Sequence, residues 1–305
     1  MKERLILDGI IPAMNTPFLS GGGIDLEGLR AQVENGIQAG VVGFMVPVFA
    51  SEVNKLSMDE RRLIVNTVVN QAAGRVPIIG GATAVSMEDS VQLGRMCVDA
   101  GCSSILCAVP YESDEQYAAY VHALADLKPD FLVIQDWAMD GYGVKVDLVK
   151  RLFEEIPCFR SFKLETAFAG PKYTEVLKAT GGCMHVSGGW AVQQMIEALD
   201  RGVHAFAVTC MPEIYCRIYK LYAGGDRDAA LKLFDRLLPV LAFTNQYLDV
   251  SIWFFKRLMW KMGLYQTPDV RQPIRPLDEF QMRVCDERIE LAMQLIQEMR
   301  KNPEA

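Results

Sequence analysis

A unit of one kind repeats along most of this chain, and it leaves few folds open. A short apolar run is followed by a polar loop, an amphipathic helical stretch, and a small residue with glycine ahead of the next apolar run. The runs are Ile10 to Met14, Gly43 to Pro47, Pro77 to Gly80, Ser104 to Ala108, Phe131 to Gln135, Phe159 to Lys163, Cys183 to Val186 and Ala205 to Thr209. Strands that are apolar almost throughout are covered on both faces, and strands that alternate with helices pair in parallel. A closed (β/α)8 TIM barrel satisfies both conditions. A doubly wound open sheet competes, but it normally carries a glycine-rich phosphate turn after its first strand, and Asn15-Thr16-Pro17-Phe18 has none of that pattern.

The punctuation agrees with the barrel. Ala39-Gly40, Ala100-Gly101 and Arg201-Gly202 each end a helical pattern where glycine can turn left-handed. Ser57-Met58-Asp59-Glu60 and Ser113-Asp114-Glu115-Gln116 read as capping boxes that start helices. From Glu213 onward only helical periodicity remains, broken near Gly224-Gly225 and across Thr267 to Pro276. The expected division is therefore a barrel over residues 1–224 and a C-terminal helical appendage of three helices over residues 225–305. In that appendage Ile252-Trp253-Phe254-Phe255 with Leu258-Met259-Trp260 is apolar nearly all round, which suits helix core or a contact between copies of the chain.

Composition narrows the function. Half of the residues are hydrophobic and 23% are charged, which suits a compact globular enzyme. A net charge of −7 argues against a nucleic-acid groove. No apolar stretch is long enough to span a bilayer, and Met1-Lys2-Glu3-Arg4-Leu5 is too short and polar for a signal peptide, so a cytoplasmic protein with no membrane partner is expected. The eight cysteines show no C-x-x-C spacing and the three histidines no H-x-x-x-H pair. Free thiols, no metal and no cofactor are the expectation.

In a barrel the chemistry lies at the carboxyl ends of the strands. Those ends bring Asn15-Thr16-Pro17, Val48-Phe49-Ala50-Ser51-Glu52, Pro110-Tyr111-Glu112, Gln135-Asp136-Trp137, Lys163 with Glu165 and Thr166, Ser187-Gly188-Gly189, and Thr209 to one rim. Lys163 ends the sixth run and is the candidate nucleophile. Burial of an amine disfavours its ammonium form and frees a lone pair to attack a ketone. Position alone favours a plainer role, a lysine reaching to solvent from a strand end; hydroxyls, amides and acids converging around it favour chemistry on a small keto acid. Glu52, Asp136 and Glu165 are the candidate proton carriers or structural partners. Trp137, Tyr142, Phe168 and Trp190 are expected to shape the outer end of a pocket or to fill core.

These residues carry a resemblance to the dihydrodipicolinate synthase / N-acetylneuraminate lyase family of Schiff-base enzymes, over nearly the whole chain. The matching stretches are Ile11-Pro12-Ala13-Met14-Asn15-Thr16-Pro17-Phe18, Gly43 through Glu52 with Leu56-Ser57 and Glu60-Arg61, Gly74 through Gly80, Pro110-Tyr111, Phe162-Lys163, Ser187-Gly188 and Val270 through Leu277. The resemblance implies the barrel with C-terminal helices, assembly as a homotetramer or dimer, and Lys163 as the imine-forming lysine. It implies a 2-keto acid substrate held by Thr16, Ala50, Ser51, Tyr111, Gln135, Asp136, Thr166, Gly188 and Ala207.

The chain also departs from that family. After the second strand the family usually has Gly-Thr-Thr-Gly-Glu, and here Val48-Phe49-Ala50-Ser51-Glu52 keeps the glutamate and offers Ser51. After the fifth, Gln135-Asp136-Trp137-Ala138 stands in place of Tyr-Asn-x-Pro, and an amide cannot titrate as a phenol does. Asp140 stands where lysine-biosynthesis members carry an arginine, and Glu112 where they carry a second tyrosine. The active-site loops are more similar to a branch containing 2-keto-3-deoxy-L-arabonate dehydratase. The expected reaction is dehydration of a 2-keto-3-deoxy sugar acid through an imine on Lys163. The alternatives are retro-aldol cleavage releasing pyruvate, or the related condensation, and a barrel that binds a keto acid without turnover. Proton transfer falls to water held by Gln135 and Ser51, to the substrate carboxylate, or to Glu52 or Asp136, with a bracing role for Glu52 favoured.

Overall fold

All eight apolar runs become strands of one parallel sheet: β1 (Gly9–Ile10), β2 (Phe44–Val46), β3 (Ile78–Gly81), β4 (Ser104–Ala108), β5 (Phe131–Ala138), β6 (Phe159–Thr166), β7 (His185–Gly188) and β8 (Ala205–Phe206). The structure is a computed structural model that describes residues 3–189 and 193–301; Trp190 lies outside the described residues. Strand order is β1-β8-β7-β6-β5-β4-β3-β2. The Val42 N–H donates to Ile10 O at 2.9 Å, which joins the segment entering β2 to β1. This is the order of a (β/α)8 barrel. The described helices are α1 (Leu26–Ala39), α2 (Met58–Ala72), α3 (Met87–Asp99), α4 (Asp114–Ala125), α5 (Val146–Glu155), α6 (Ala169–Ala179), α7 (Met195–Asp200), α8 (Pro212–Ala223), α9 (Arg227–Thr244), α10 (Leu248–Lys261) and α11 (Glu279–Lys301).

Contacts gather these elements into two compact units. The first comprises Met1–Ile11, Val42–Val46 and Pro77–Ala207. It holds every strand together with α3 to α7. Residues on both faces of β2 and β3 are buried, as continuous apolar runs require. At the amino-terminal end of the sheet the fully buried His185 ring lies between Ser161 Oγ at 2.9 Å and Leu7 O at 3.0 Å.

The second unit comprises Pro12–Val41, Pro47–Val76 and Val208–Ala305. Here α2 opens on a complete capping box between Ser57 and Glu60. In the first unit, by contrast, Ser113 caps α4 through the Gln116 N–H while the Gln116 side chain does not return the bond. Gly40, Gly101 and Gly202 take positive φ at their helix ends, as expected. Residue 224 caps α8, and among the described residues three helices follow it. Ile252, Phe254, Phe255, Leu258 and Met259 of α10 are buried, so that apolar stretch is largely core; Trp260 stays 39% exposed. No described helix is long and apolar enough to cross a membrane. All eight cysteines are free thiols, five of them buried.

Strand lengths differ from the sequence reading in an informative way. β1 spans only Gly9–Ile10, although the Ile11 N–H still donates to Phe206 O at 2.9 Å and the Ala13 N–H to Val208 O at 2.6 Å. β5 and β6 run three residues further than expected, pairing Asp136 with Leu164, Trp137 with Glu165 and Ala138 with Thr166. Polar side chains there resemble a loop in sequence, but the interior of a barrel accepts them. Lys163 therefore sits within β6 rather than at its end.

Candidate active site

The register of β5, β6 and β7 sets one row of side chains across the first unit. Gln135 pairs with Lys163, and Lys163 with Ser187. Side chains alternate faces along a strand, so Gln135, Trp137, Lys163, Glu165 and Ser187 share one face, while Asp136 and Leu164 point to the other. Lys163 is buried, and its Nζ donates to Glu165 Oε2 at 2.6 Å. The Gln135 amide donates to the same oxygen. The Glu165 carboxylate packs against backbone at Gly189, where any side chain would overlap it. An amine, an acid and an amide thus meet at one buried point. The acid can take a proton from the amine, and the amide holds the acid in place.

Two hydroxyls on this unit are buried without a hydrogen-bond partner, Ser187 Oγ and Thr166 Oγ1. Ser187 lies directly across from Lys163 in the next strand. A buried hydroxyl without a partner costs about 1–3 kcal/mol, which a bound polar ligand would recover. Gly188 leaves room for the Tyr173 hydroxyl, and its carbonyl accepts from the Ala207 N–H at 2.8 Å.

Asp136 is not brought to Lys163. It pairs with the fully buried Lys172 of α6, 2.5 Å away, and accepts from the Val144 N–H at 3.2 Å. Burial pushes the Asp136 carboxyl up and the Lys172 ammonium down, and each is opposed by the charge of the other. Tyr111 is 45% exposed, with its hydroxyl on Asp114 at 2.5 Å. Trp137, Tyr142 and Phe168 are exposed rather than core.

The remaining expected residues belong to the second unit. Ser51 Oγ accepts from the Val48 N–H at 2.9 Å and donates to Met14 O. Thr16 Oγ1 donates to Ser51 O and the Asn15 amide to Ala50 O, both at 2.8 Å. Glu52, at φ 57, turns a fully buried carboxylate onto Lys256, onto Lys55 at 3.0 Å and onto the Arg271 N–H at 3.0 Å. Lys256 is itself fully buried, and its ammonium is pushed down to about 8 by burial, against the pull of Glu52. These contacts tie the Glu52 carboxylate to α10 and to the segment at Arg271 within the second unit. The sequence offered Gly170-Pro171-Lys172 only as part of the similarity to the dehydratase branch and did not single out Lys256; neither ion pair was foreseen, because nothing local marks a lysine whose acid partner lies far along the chain.

Among the described residues no cluster of three His, Cys, Asp or Glu side chains could hold a metal ion. A sequence model of the dihydrodipicolinate synthetase family matches residues 6–291. A 4-hydroxy-tetrahydrodipicolinate synthase of Salinibacter ruber is 25% identical over 285 residues, covering 92% of this chain and 93% of the relative. An L-2-keto-3-deoxyarabonate dehydratase of Azospirillum brasilense is 25% identical over 280 residues, covering 88% and 89%. The solved 4-hydroxy-tetrahydrodipicolinate synthase from Methylacidiphilum fumariolicum SolV superposes with a TM-score of 0.86 at 20% identity, over 97% of this chain and 99% of that one, and so shares the barrel fold.

Proposed function

Because the chain belongs to the dihydrodipicolinate synthetase family, we propose that it is a Schiff-base lyase that removes water from a 2-keto-3-deoxy sugar acid. The observation that carries this reading is the contact of Lys163 Nζ with Glu165 Oε2 at 2.6 Å inside the barrel. Glu165 takes a proton from the Lys163 ammonium, and the neutral amine adds to the C2 ketone. The carbinolamine hydroxyl takes that proton back from Glu165 and leaves as water, giving a protonated imine that draws electrons from C3 and a Glu165 carboxylate free to act again. Glu165 then accepts the C3 proton as the enamine forms. The C4–O bond breaks, and the same carboxyl returns its proton to the departing hydroxide, so one water leaves and an unsaturated imine remains; a second water then hydrolyses that imine, freeing the dehydrated keto acid and restoring the Lys163 amine. Gln135 holds Glu165 in position, and Ser187 offers the substrate a hydrogen bond. The similarity to a relative named as an L-2-keto-3-deoxyarabonate dehydratase supports dehydration.

Relatives named as 4-hydroxy-tetrahydrodipicolinate synthases favour a second reading, condensation of pyruvate with an aldehyde, whose reverse is retro-aldol cleavage. Both share the imine. Borohydride reduction with pyruvate, followed by peptide mass analysis, should give a stable adduct on Lys163 that is lost in Lys163→Ala. No adduct in folded protein with several keto acids would overturn the Schiff-base reading in favour of binding without turnover. Product analysis then separates the reactions: an intact carbon chain one water lighter means dehydration, and free pyruvate means cleavage. Self-association as a homotetramer or dimer belongs to the same proposal, and a monomer mass by light scattering would remove it.

A further inference from the structure

Residues 139–145, between β5 and α5, form no helix or strand, yet they are tied down from several directions. The fully buried Lys172 donates through Nζ to Tyr142 O at 2.5 Å and to Val144 O at 2.7 Å, besides its ion pair with Asp136. Asp136 in turn accepts from the Val144 N–H. From the next loop the Ala167 N–H reaches Ala138 O at 3.1 Å and Gly141 O at 3.3 Å. Gly143 sits at φ 74 against the Asp136 carboxylate, where a side chain would overlap that group.

This is more than packing requires. A buried ion pair gives little net stability, and apolar side chains of similar volume hold a core equally well or better. What the pair provides is direction. A lysine with three acceptors fixes two loop carbonyls and one carboxylate in a single arrangement. Trp137 near the end of β5 and Met139 and Tyr142 of the loop so fixed are exposed; the Tyr142 hydroxyl donates to Glu175 at 2.5 Å and its ring centroid lies 4.9 Å from Lys172 Nζ. Trp137 stands two residues beyond Gln135 on the same face and pairs with Glu165. It is thus the next step outward from the amine.

We propose that Lys172 is a positioning residue that holds the β5–α5 loop so that Trp137 and Tyr142 form a wall for the part of the substrate beyond its keto-acid end. The proposal rests on the function proposed above. It separates recognition of the reacting end from recognition of the rest: a three-carbon acid needs no wall, and a longer one does.

The test uses the full chain with Lys172→Met, and with Lys172→Met/Asp136→Asn to avoid a buried carboxylate without a partner. Adduct formation on Lys163 is titrated with pyruvate and with 2-keto-3-deoxyarabonate, and brief chymotrypsin digestion reads cleavage at Trp137 and Tyr142. The half-saturating concentration of the five-carbon acid should rise about tenfold or more, that of pyruvate should stay within about twofold, and cleavage should accelerate. A common factor for both acids, or no change in either, would overturn the proposal. Tyr142→Ala removes the ring and its bond to Glu175 while keeping the backbone carbonyl that Lys172 holds, and it serves if the buried variants do not fold: it should reproduce the penalty for the longer acid alone, and equal affinity for that acid would remove the wall. Absence of any adduct in the wild-type chain would defeat the Schiff-base reading instead. Digestion then judges the clamp by itself, and unchanged cleavage would refute it.

Discussion

Three acids singled out in the sequence occupy three different settings. Glu165 faces the candidate nucleophile, Glu52 holds a buried lysine in the second unit, and Asp136 holds another in the first. Glu165→Gln should slow pyruvate adduct formation by about 10²- to 10⁴-fold, the usual worth of a positioned acid–base group, with the circular dichroism spectrum unchanged. A rate near wild type would remove Glu165 from proton transfer. Glu52→Gln acts on stability: it leaves Lys256 buried without its counter-charge, which typically costs about 3–5 kcal/mol, read as a lower urea midpoint. All three acids were visible in the sequence. Their division of labour was not, because it depends on lysines 36 residues away for Asp136 and further still for Glu52.

At the scale of elements, the order and number of strands were legible because each is a short apolar run between helix signals. The ends of β5 and β6 were not. The expected runs end at Gln135 and Lys163, whereas the ladder continues to Ala138 and Thr166. Sequence periodicity records hydrophobicity, and in the interior of a barrel a polar row breaks that pattern. The same gap hid the contact of Gln135 with Glu165, which needs the register of two neighbouring strands. The β5–α5 turn depends on Gly143, and Gly143→Ala would place a methyl group at positive φ against Asp136. A loss on the order of 1–3 kcal/mol is expected, seen as a lower melting temperature, and an unchanged midpoint would mean that the turn relaxes freely.

For the whole molecule, acid should act through the amino-terminal end of the barrel. Burial, aided by repulsion from His204, pushes His185 down to about 4 from its ordinary 6.5. Between those values the unfolded chain binds a proton that the folded chain refuses, so stability is full above pH 6.5 and falls as pH drops through 4. The loss is on the order of 3 kcal/mol, and urea midpoints measured across that range should follow it. His185→Gln should flatten the profile, and an unchanged slope would assign acid sensitivity elsewhere. At the opposite end, Lys163 lies three residues below the last residue of β6, a depth of about 10 Å at the usual rise of a strand. On the function proposed above, a reactant must reach down that distance with its carbonyl leading. Molecules are therefore sorted by where along their length the ketone sits: slender acids with the ketone beside one terminus can touch bottom, whereas a ketone at mid-chain, or a branch next to it, would lodge on the way.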